Sequence, residues 1–298
     1  MKIRWTVLAG LILVTTVGCT ATSISLPAVT ESPTGNHDTG RMIWRDLISN
    51  KPAESRKFYE ALFGWEFEGV GNLFGLGGED AYSLIRHNGR LIGGMVNERR
   101  LKNNAEDISQ WVSLMSVDDV DRATEKFRND GGEVLTPPTD VAGRGRMAVV
   151  VDPQGALLAL VQTIDGDPEW HQPGIGDFLW DELWTSDVEA STRFYTDLAG
   201  FDSRDVAVDE DTSYRLLSRN RQPTAGIMAQ PFTGQRPVWV TYIRVEDPAA
   251  ITARVEALGG KVYLEARERD IGGKVALIAD PSGAGIALQS WSFDGRVK

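Results

Sequence analysis

Apolar residues along this chain keep switching between two periods. From Met42 to Ile48 apolar and polar positions alternate, as in a strand with one face buried. From Pro52 to Phe63 the aromatic and aliphatic residues Phe58, Tyr59, Leu62 and Phe63 recur at helical spacing instead. Pro52 suits a first helical position, where a missing N–H costs nothing, and Gly64 supplies the residue free to adopt positive φ at the helix end. Alternation resumes at 65–70, 81–85 and 91–96, with Asn88-Gly89 as a tight hairpin turn between the last two. The same order then begins again. A strand at 111–117 leads to a helix at 120–129 capped by Asp118 or Asp119, which ends at Gly131-Gly132, and three strands follow at 133–135, 146–151 and 156–162. Asp152-Pro153-Gln154-Gly155 suits a type I turn before the last of them.

The second half repeats this pattern. Trp180-Asp181-Glu182-Leu183 and Phe194-Tyr195 stand 136 positions after Trp44-Arg45-Asp46-Leu47 and Phe58-Tyr59, with Gly200 matching Gly64. Trp239, Gly259-Gly260 and Asp280-Pro281-Ser282-Gly283 stand 128 positions after Trp111, Gly131-Gly132 and Asp152-Pro153-Gln154-Gly155, so the first copy carries eight extra residues, assigned to the polar stretch 97–107. Tyr214 to Gly226 keeps the twelve-residue spacing of Tyr82 to Gly94, with Asn220 opposite Asn88. Four strand-helix-three-strand units therefore predict two α+β domains, 41–164 and 175–293, joined by a linker at 165–174 that contains two Gly and two Pro.

Composition sets limits on partners and compartment. A length of 298 residues with 42% hydrophobic content fills two ordinary cores. Thirty-one Lys and Arg against 42 Asp and Glu give a net charge of -11, which argues against nucleic acid, since phosphate binding needs clustered cations. At the start, Lys2 and Arg4 precede a short apolar run, Val7 to Val14, and small residues lead to Val17-Gly18-Cys19. This run resembles the signal and lipobox of bacterial lipoproteins, with Thr16 where that motif carries Leu. It implies cleavage before Cys19, lipidation of that residue and an exported, membrane-anchored protein. Cys19 is the chain's one Cys, so the exported part has no internal disulfide and no thiol nucleophile. Residues 20–40, rich in Ser, Thr, Pro and Gly, read as a flexible tether.

Together the Phe-Tyr-x-x-x-x-Gly helix, the Val-Asp-Asp or Val-Glu-Asp opening of the second helix, the Gly-Gly after it and Asp-Pro-x-Gly before the last strand resemble the vicinal-oxygen-chelate superfamily of glyoxalases, bleomycin-resistance proteins and extradiol dioxygenases. The Trp-x-Asp/Glu-Leu opening looks like a two-domain subgroup. The resemblance implies tandem domains of this type, each made of paired βαβββ units whose curved mixed sheets surround a cleft. Enzymes of the family hold a divalent metal there through His, Gln or Glu. In this chain the matching positions are Trp44, Val112 and Ala159, and in the second copy Trp180, Val240 and Ala287. None of these side chains is an oxygen or imidazole ligand. His37, His87 and His171 lie in the tether, beside a turn and in the linker, and are expected at the surface. The sequence thus predicts neither a metal nor another cofactor.

What chemistry remains is sparse. Asp46 and Glu182 lie two residues beyond the first-strand Trp, so alternation points each towards its cleft, where a raised pKa would suit a general acid or base. The bland alternative is pairing with an Arg or with backbone N–H groups. Trp44, Trp111, Trp180 and Trp239 are candidate aromatic walls for a ligand, with Tyr82 and Tyr214 beside them, and the alternative is a repeated core contact. Gly93-Gly94 and Ala225-Gly226 remove bulk from the neighbouring strand, for a ligand or for the other sheet. Three readings follow: an envelope-tethered binding protein that sequesters a small organic molecule without a metal; a metal-independent lyase or isomerase using Asp46 or Glu182; and an interaction module whose clefts are filled by its own side chains. Because one chain carries both domains, it can act as a monomer.

Overall fold

The computed structural model describes residues 25–71, 80–101, 108–207, 213–219, 222–269 and 271–292. The expected targeting segment with Cys19, positions 102–107 of the stretch at 97–107 and Asn220 lie outside these. The first half contributes β1 (Met42–Ser49), α1 (Pro52–Phe63), β2 (Glu66–Gly69), β3 (Tyr82–His87), β4 (Arg90–Asn97), β5 (Gln110–Ser116), α2 (Val120–Asn129), β6 (Glu133–Val141), β7 (Gly145–Val151) and β8 (Leu157–Thr163). The second contributes β9 (Phe178–Thr185), α3 (Val188–Ala199), β10 (Asp202–Ala207), β11 (Ser213–Arg219), β12 (Gln222–Ala229), β13 (Val238–Arg244), α4 (Pro248–Val255), β14 (Lys261–Glu268), β15 (Lys274–Ala279) and β16 (Gly285–Gln289).

Each half is one mixed sheet of eight strands, in the orders β2-β3-β4-β1-β5-β8-β7-β6 and β10-β11-β12-β9-β13-β16-β15-β14. The two units of a domain meet where their first strands pair antiparallel, with Asp46 opposite Val112 and Glu182 opposite Val240. Gly64 and Gly200 end α1 and α3 at φ 70° and 66°, as a left-handed C-terminal residue requires. Asn88 and Gly89 both take positive φ, the conformation of a type I′ turn. Asp119 caps α2 by accepting the Arg122 N–H.

The faces of the sheets have separate duties. Trp44, Val112, Leu114, Met147 and Ala159 form an apolar cluster on the concave side of the first sheet, and Trp180, Val240, Tyr242, Val275 and Ala287 form its counterpart on the second. On the opposite side the helices interleave the two domains. One core joins Phe127 of α2 and Leu158 of β8 to Phe194, Tyr195 and Trp239, and another joins Phe58, Tyr59 and Trp111 to Ile243, Val255 and Ile286. The motif residues are the fasteners here. Trp111 Nε1 donates to the Tyr59 hydroxyl at 2.9 Å and Trp239 Nε1 to that of Tyr195 at 3.0 Å, while Tyr195 donates across the junction to Asp152 at 3.0 Å. At the centre, the Asp181 carboxylate accepts from Arg45, from Ser113 Oγ at 2.7 Å and from Thr241 Oγ1 at 2.8 Å.

Two expectations need correction. Strand β6 runs to Val141 rather than stopping at Leu135, because Pro137 and Pro138 fall on the outermost strand of the sheet, at irregular steps of its register, where missing N–H donors cost no ladder bonds. Residues 25–40 are not a free tether. The Leu26 N–H donates to Ala142 O at 3.0 Å, and Leu26 and Val29 are 4% and 3% exposed in the concave cluster with Trp44 and Tyr82. Apolar burial of this size outweighs the entropy that Ser and Thr neighbours would otherwise keep.

Candidate functional site

On the first concave face, alternation along β1 brings Trp44 and Asp46 to the same side, as expected, and β3 adds Tyr82. Trp44 Nε1 donates to Asp46 Oδ1 at 2.9 Å, and the Tyr82 hydroxyl donates to the same oxygen at 2.6 Å. The other oxygen faces Arg144, whose Nη1 lies 3.3 Å away and whose Nη2 donates to the Tyr82 hydroxyl at 3.0 Å. The guanidinium carbon sits 4.9 Å from the Trp44 ring centroid, a cation–π distance. Arg144 is 1% exposed. Its Nε donates to Pro27 O at 3.0 Å, so the N-terminal strap closes the hollow over the cluster.

The second domain repeats the arrangement with a longer acid. Glu182 accepts from the hydroxyls of Tyr214 at 2.8 Å and Tyr242 at 2.5 Å and from Arg269 Nη2 at 2.5 Å. Gln289 orients the other arm of Arg269 at 2.9 Å. Ile271 is buried beside Trp180, and Trp291 packs against Trp180 with centroids 5.1 Å apart and the rings tilted by 52°. In both copies a glycine makes the room: a Cβ on Gly94 would strike the Tyr82 hydroxyl and Asp46, and one on Gly226 would strike the Tyr214 hydroxyl. The glycines foreseen as room for a ligand or sheet thus admit an internal Tyr–carboxylate pair.

Burial pushes the Tyr82, Tyr214 and Tyr242 hydroxyls above their ordinary range, and the carboxylate beside each adds to the rise, so all three stay protonated donors. Burial alone would pull the Arg144 guanidinium down, but Tyr82 and Asp46 beside it hold it above its usual value. Arg269 follows the same logic with Glu182, Tyr242 and Tyr214. Asp46 and Glu182 are therefore acceptors in closed, charge-matched networks, 6% and 0% exposed. That is the pairing with an Arg set out above as the alternative to an acid or base role.

The four Trp residues are not brought together. Trp44 and Trp180 lie on the two concave faces, whereas Trp111 and Trp239 point to the helix side and pack in the shared cores. His87 also departs from expectation. It is buried, and its Nδ1 lies 2.7 Å from Asp177 Oδ1 across the domain junction. His37 meets Thr163 O at 2.9 Å and His171 is exposed. Sequence reasoning missed Arg144, Arg269 and Tyr242. Arg144 stands between two glycines in the turn before β7, a weak signal, and Arg269 follows it by 125 positions rather than 128, which hides the equivalence.

The family model described as "Glyoxalase/Bleomycin resistance protein/Dioxygenase superfamily" matches residues 41–160 and again 175–288, and the chain belongs to this family. Among curated proteins it is 32% identical over 263 residues to the anthracycline biosynthesis protein DnrV of Streptomyces peucetius, covering 84% of this chain and 92% of that one. It is 29% identical over 243 residues to CFP32 of Mycobacterium tuberculosis, whose name includes the word glyoxylase, covering 81% and 91%. Two solved structures share the fold. The Mn(II)-bound glyoxalase from Novosphingobium aromaticivorans superposes with a TM-score of 0.57 at 15% identity, covering 85% of this chain and 83% of that one. A variant of homoprotocatechuate 2,3-dioxygenase from Brevibacterium fuscum superposes with 0.58 at 16%, covering 88% and 74%.

The metal such relatives imply does not fit this donor set. Trp44, Val112 and Ala159 share the first concave cluster, and Trp180, Val240 and Ala287 share the second, so the residues at the matching positions do converge. They converge with hydrocarbon and indole. The nearby carboxylates are each spent on a guanidinium, which would repel a cation. Among the described residues no three His, Cys, Asp or Glu side chains gather as a metal site would need.

Proposed function

We propose that this chain is an envelope-tethered binding protein of the glyoxalase/bleomycin-resistance family that holds a small organic molecule without a metal. The observation that carries it is the substitution pattern at six converging positions, Trp44, Val112, Ala159, Trp180, Val240 and Ala287, where the walls of the fold persist and the ligand atoms do not. Without a Lewis acid there is nothing to stabilise an enediolate or to bind dioxygen, so the glyoxalase and dioxygenase chemistries are not carried over. The relative DnrV is named for anthracycline biosynthesis, a setting in which organic molecules are handled, and this supports the reading.

The lipobox-like run supplies the anchor at Cys19. From there to Ser25, the first described residue, is six residue steps, at most about 20 Å when fully extended, so the body rides close to the membrane. Both domains sit in one chain and share their cores, and a monomer suffices. A second reading has its own support: Leu26 and Val29 fill the first hollow, as they would in an interaction module. Native mass spectrometry of the purified full-length protein, with elemental analysis alongside, separates these. A bound organic mass with metal far below one equivalent is expected. Stoichiometric zinc, nickel, iron or manganese overturns the metal-free reading, and a protein that is always unliganded favours the module.

A further inference from the structure

The two concave hollows are closed in different ways. The second is closed from within its own sheet, by Ile271 in the turn between β14 and β15 and by Trp291 just after β16. The first is closed by residues 25–29, which lie outside the sheet they cover. This strap is lightly held. The Leu26 N–H donates to Ala142 O at 3.0 Å, Pro27 O accepts from Arg144 Nε at 3.0 Å, and the side chains of Leu26 and Val29 supply the apolar contacts. Beyond it Glu31 and Ser32 are exposed, and Glu31 meets Arg86 in a surface ion pair, a contact that contributes little. Firm attachment begins at 34–38, where the N–H groups of Thr34 and Gly35 donate to Asp167 O and Asp165 O at 3.1 and 3.0 Å and that of Asp38 to Asp167 Oδ2 at 2.7 Å. A segment with so few contacts, attached to a fixed base, opens at much lower cost than the sheets beneath it.

What the strap presents to the hollow is a ligand's set of groups. Two branched aliphatic side chains enter an apolar cluster, and a carbonyl oxygen between them accepts from a buried guanidinium. Pro27 confines Leu26 to extended conformations and itself brings no N–H that would need a partner. The body is shaped to receive this backbone: Gly143 takes φ 83°, and a Cβ there would strike Leu26 O. Arg144 spends its other donors on Asp46 and Tyr82, and Asp46 matches its charge, so the acceptor that suits Nε is a neutral one. We propose that the first hollow is a site for a neutral apolar peptide or peptide-like amide, whose two branched aliphatic groups enter the cluster around Trp44 while the carbonyl between them accepts from Arg144 Nε, and that the strap is its built-in competitor. Strap and ligand claim the same atoms, so each excludes the other. Only the strap-open fraction of the protein is competent to bind, and the apparent Kd rises by the inverse of that fraction. This deepens the binding reading above and rests on it.

The probe is the strap itself as a free, end-capped and dye-labelled peptide, Ser25-Leu26-Pro27-Ala28-Val29-Thr30, titrated by fluorescence anisotropy into the full-length chain. In the parent chain the attached strap competes at a millimolar effective concentration. Leu26→Asp with Val29→Asp expels it, and the peptide is expected to bind this variant saturably and about tenfold or more tightly than the parent. The same peptide with Asp at both positions should bind neither. Because the peptide contains no Lys or Arg, trypsin locates it: bound in the hollow, it should protect the bond after Arg144 in the variant. Thermal melts identify any loss due to unfolding, and Leu26→Ala with Val29→Ala, a milder release expected to tighten binding in the same direction, keeps the test open should the Asp variant fail to fold. Equal affinity for parent and variants overturns the proposal, as does a folded variant that binds no peptide or gains no protection after Arg144. None of these results touches the native mass of the purified chain, which decides the broader binding reading by itself.

Discussion

Arg144 has no solvent to fall back on: its charge is matched by Asp46 and Tyr82 or not at all. Removing one member of such a pair costs about 3–5 kcal/mol, because the survivor stays buried and uncompensated, whereas replacing both by apolar groups is often nearly neutral. Arg144→Met is therefore expected to lower urea stability by that amount, and Asp46→Leu in the same chain to recover most of it. A coupling below about 0.5 kcal/mol between the two substitutions would remove the network from the account of stability. Much of this cluster was legible beforehand. Asp46 and Glu182 follow a Trp by two positions on an alternating strand, and that parity alone turned them inward. The same parity bore on Trp111, which adjoins Val112 and so had to face the other way, but size and repetition made it look like a ligand wall. Arg144 and Arg269 stayed hidden because their equivalence is broken by a three-residue change in the repeat.

At the scale of elements, the strap at 25–29 is where local composition and tertiary packing disagree. Leu26 and Val29 are isolated apolar residues in a polar, Pro-bearing run, too few to produce any periodicity, and their burial depends on a hollow built from strands far along the chain. Elements with dense periodic signals fared otherwise: α1 begins at Pro52 and ends before Gly64 because both termini carry their own chemistry. The strap also guards the turn between β6 and β7, since Pro27 O accepts from Arg144 Nε and Leu26 pairs with Ala142. Leu26→Asp puts a charge into an apolar cluster and should release the strap without unfolding the sheets. Trypsin is then expected to cut after Arg144 in the variant and spare that bond in the parent chain. Equal resistance in both would mean that the strap does not cover the turn.

Across the whole molecule, acid groups tie the domains together with opposite sensitivities to pH. Burial would raise Asp177, but His87, the Gly174 N–H and Arg90 outweigh it and hold the carboxyl below its usual value, so its contribution is full above the unfolded pKa, about 3.9, and is lost as pH falls through the lower folded value. Asp152 is raised by burial despite its N–H partners, so it opposes folding when ionised and is relieved by acid. Asp177→Asn should therefore flatten the loss of stability below about pH 4, seen in denaturation midpoints taken across that range. Asp181 makes the coupling of the domains itself testable. It is 0% exposed, it belongs to the second domain, and Arg45 and Ser113 of the first both donate to it at the centre of cores the two halves share. Neither domain then has a complete core alone, and calorimetry of the full chain should give one unfolding transition despite the tandem duplication. Asp181→Ala strands Arg45 in the interface at a cost of about 3–5 kcal/mol, which falls on the junction rather than on either sheet. The variant is expected to melt in one transition shifted downward, because the shared cores still couple the halves; two separate steps would mean that this pair, not the interleaved cores, binds the domains together.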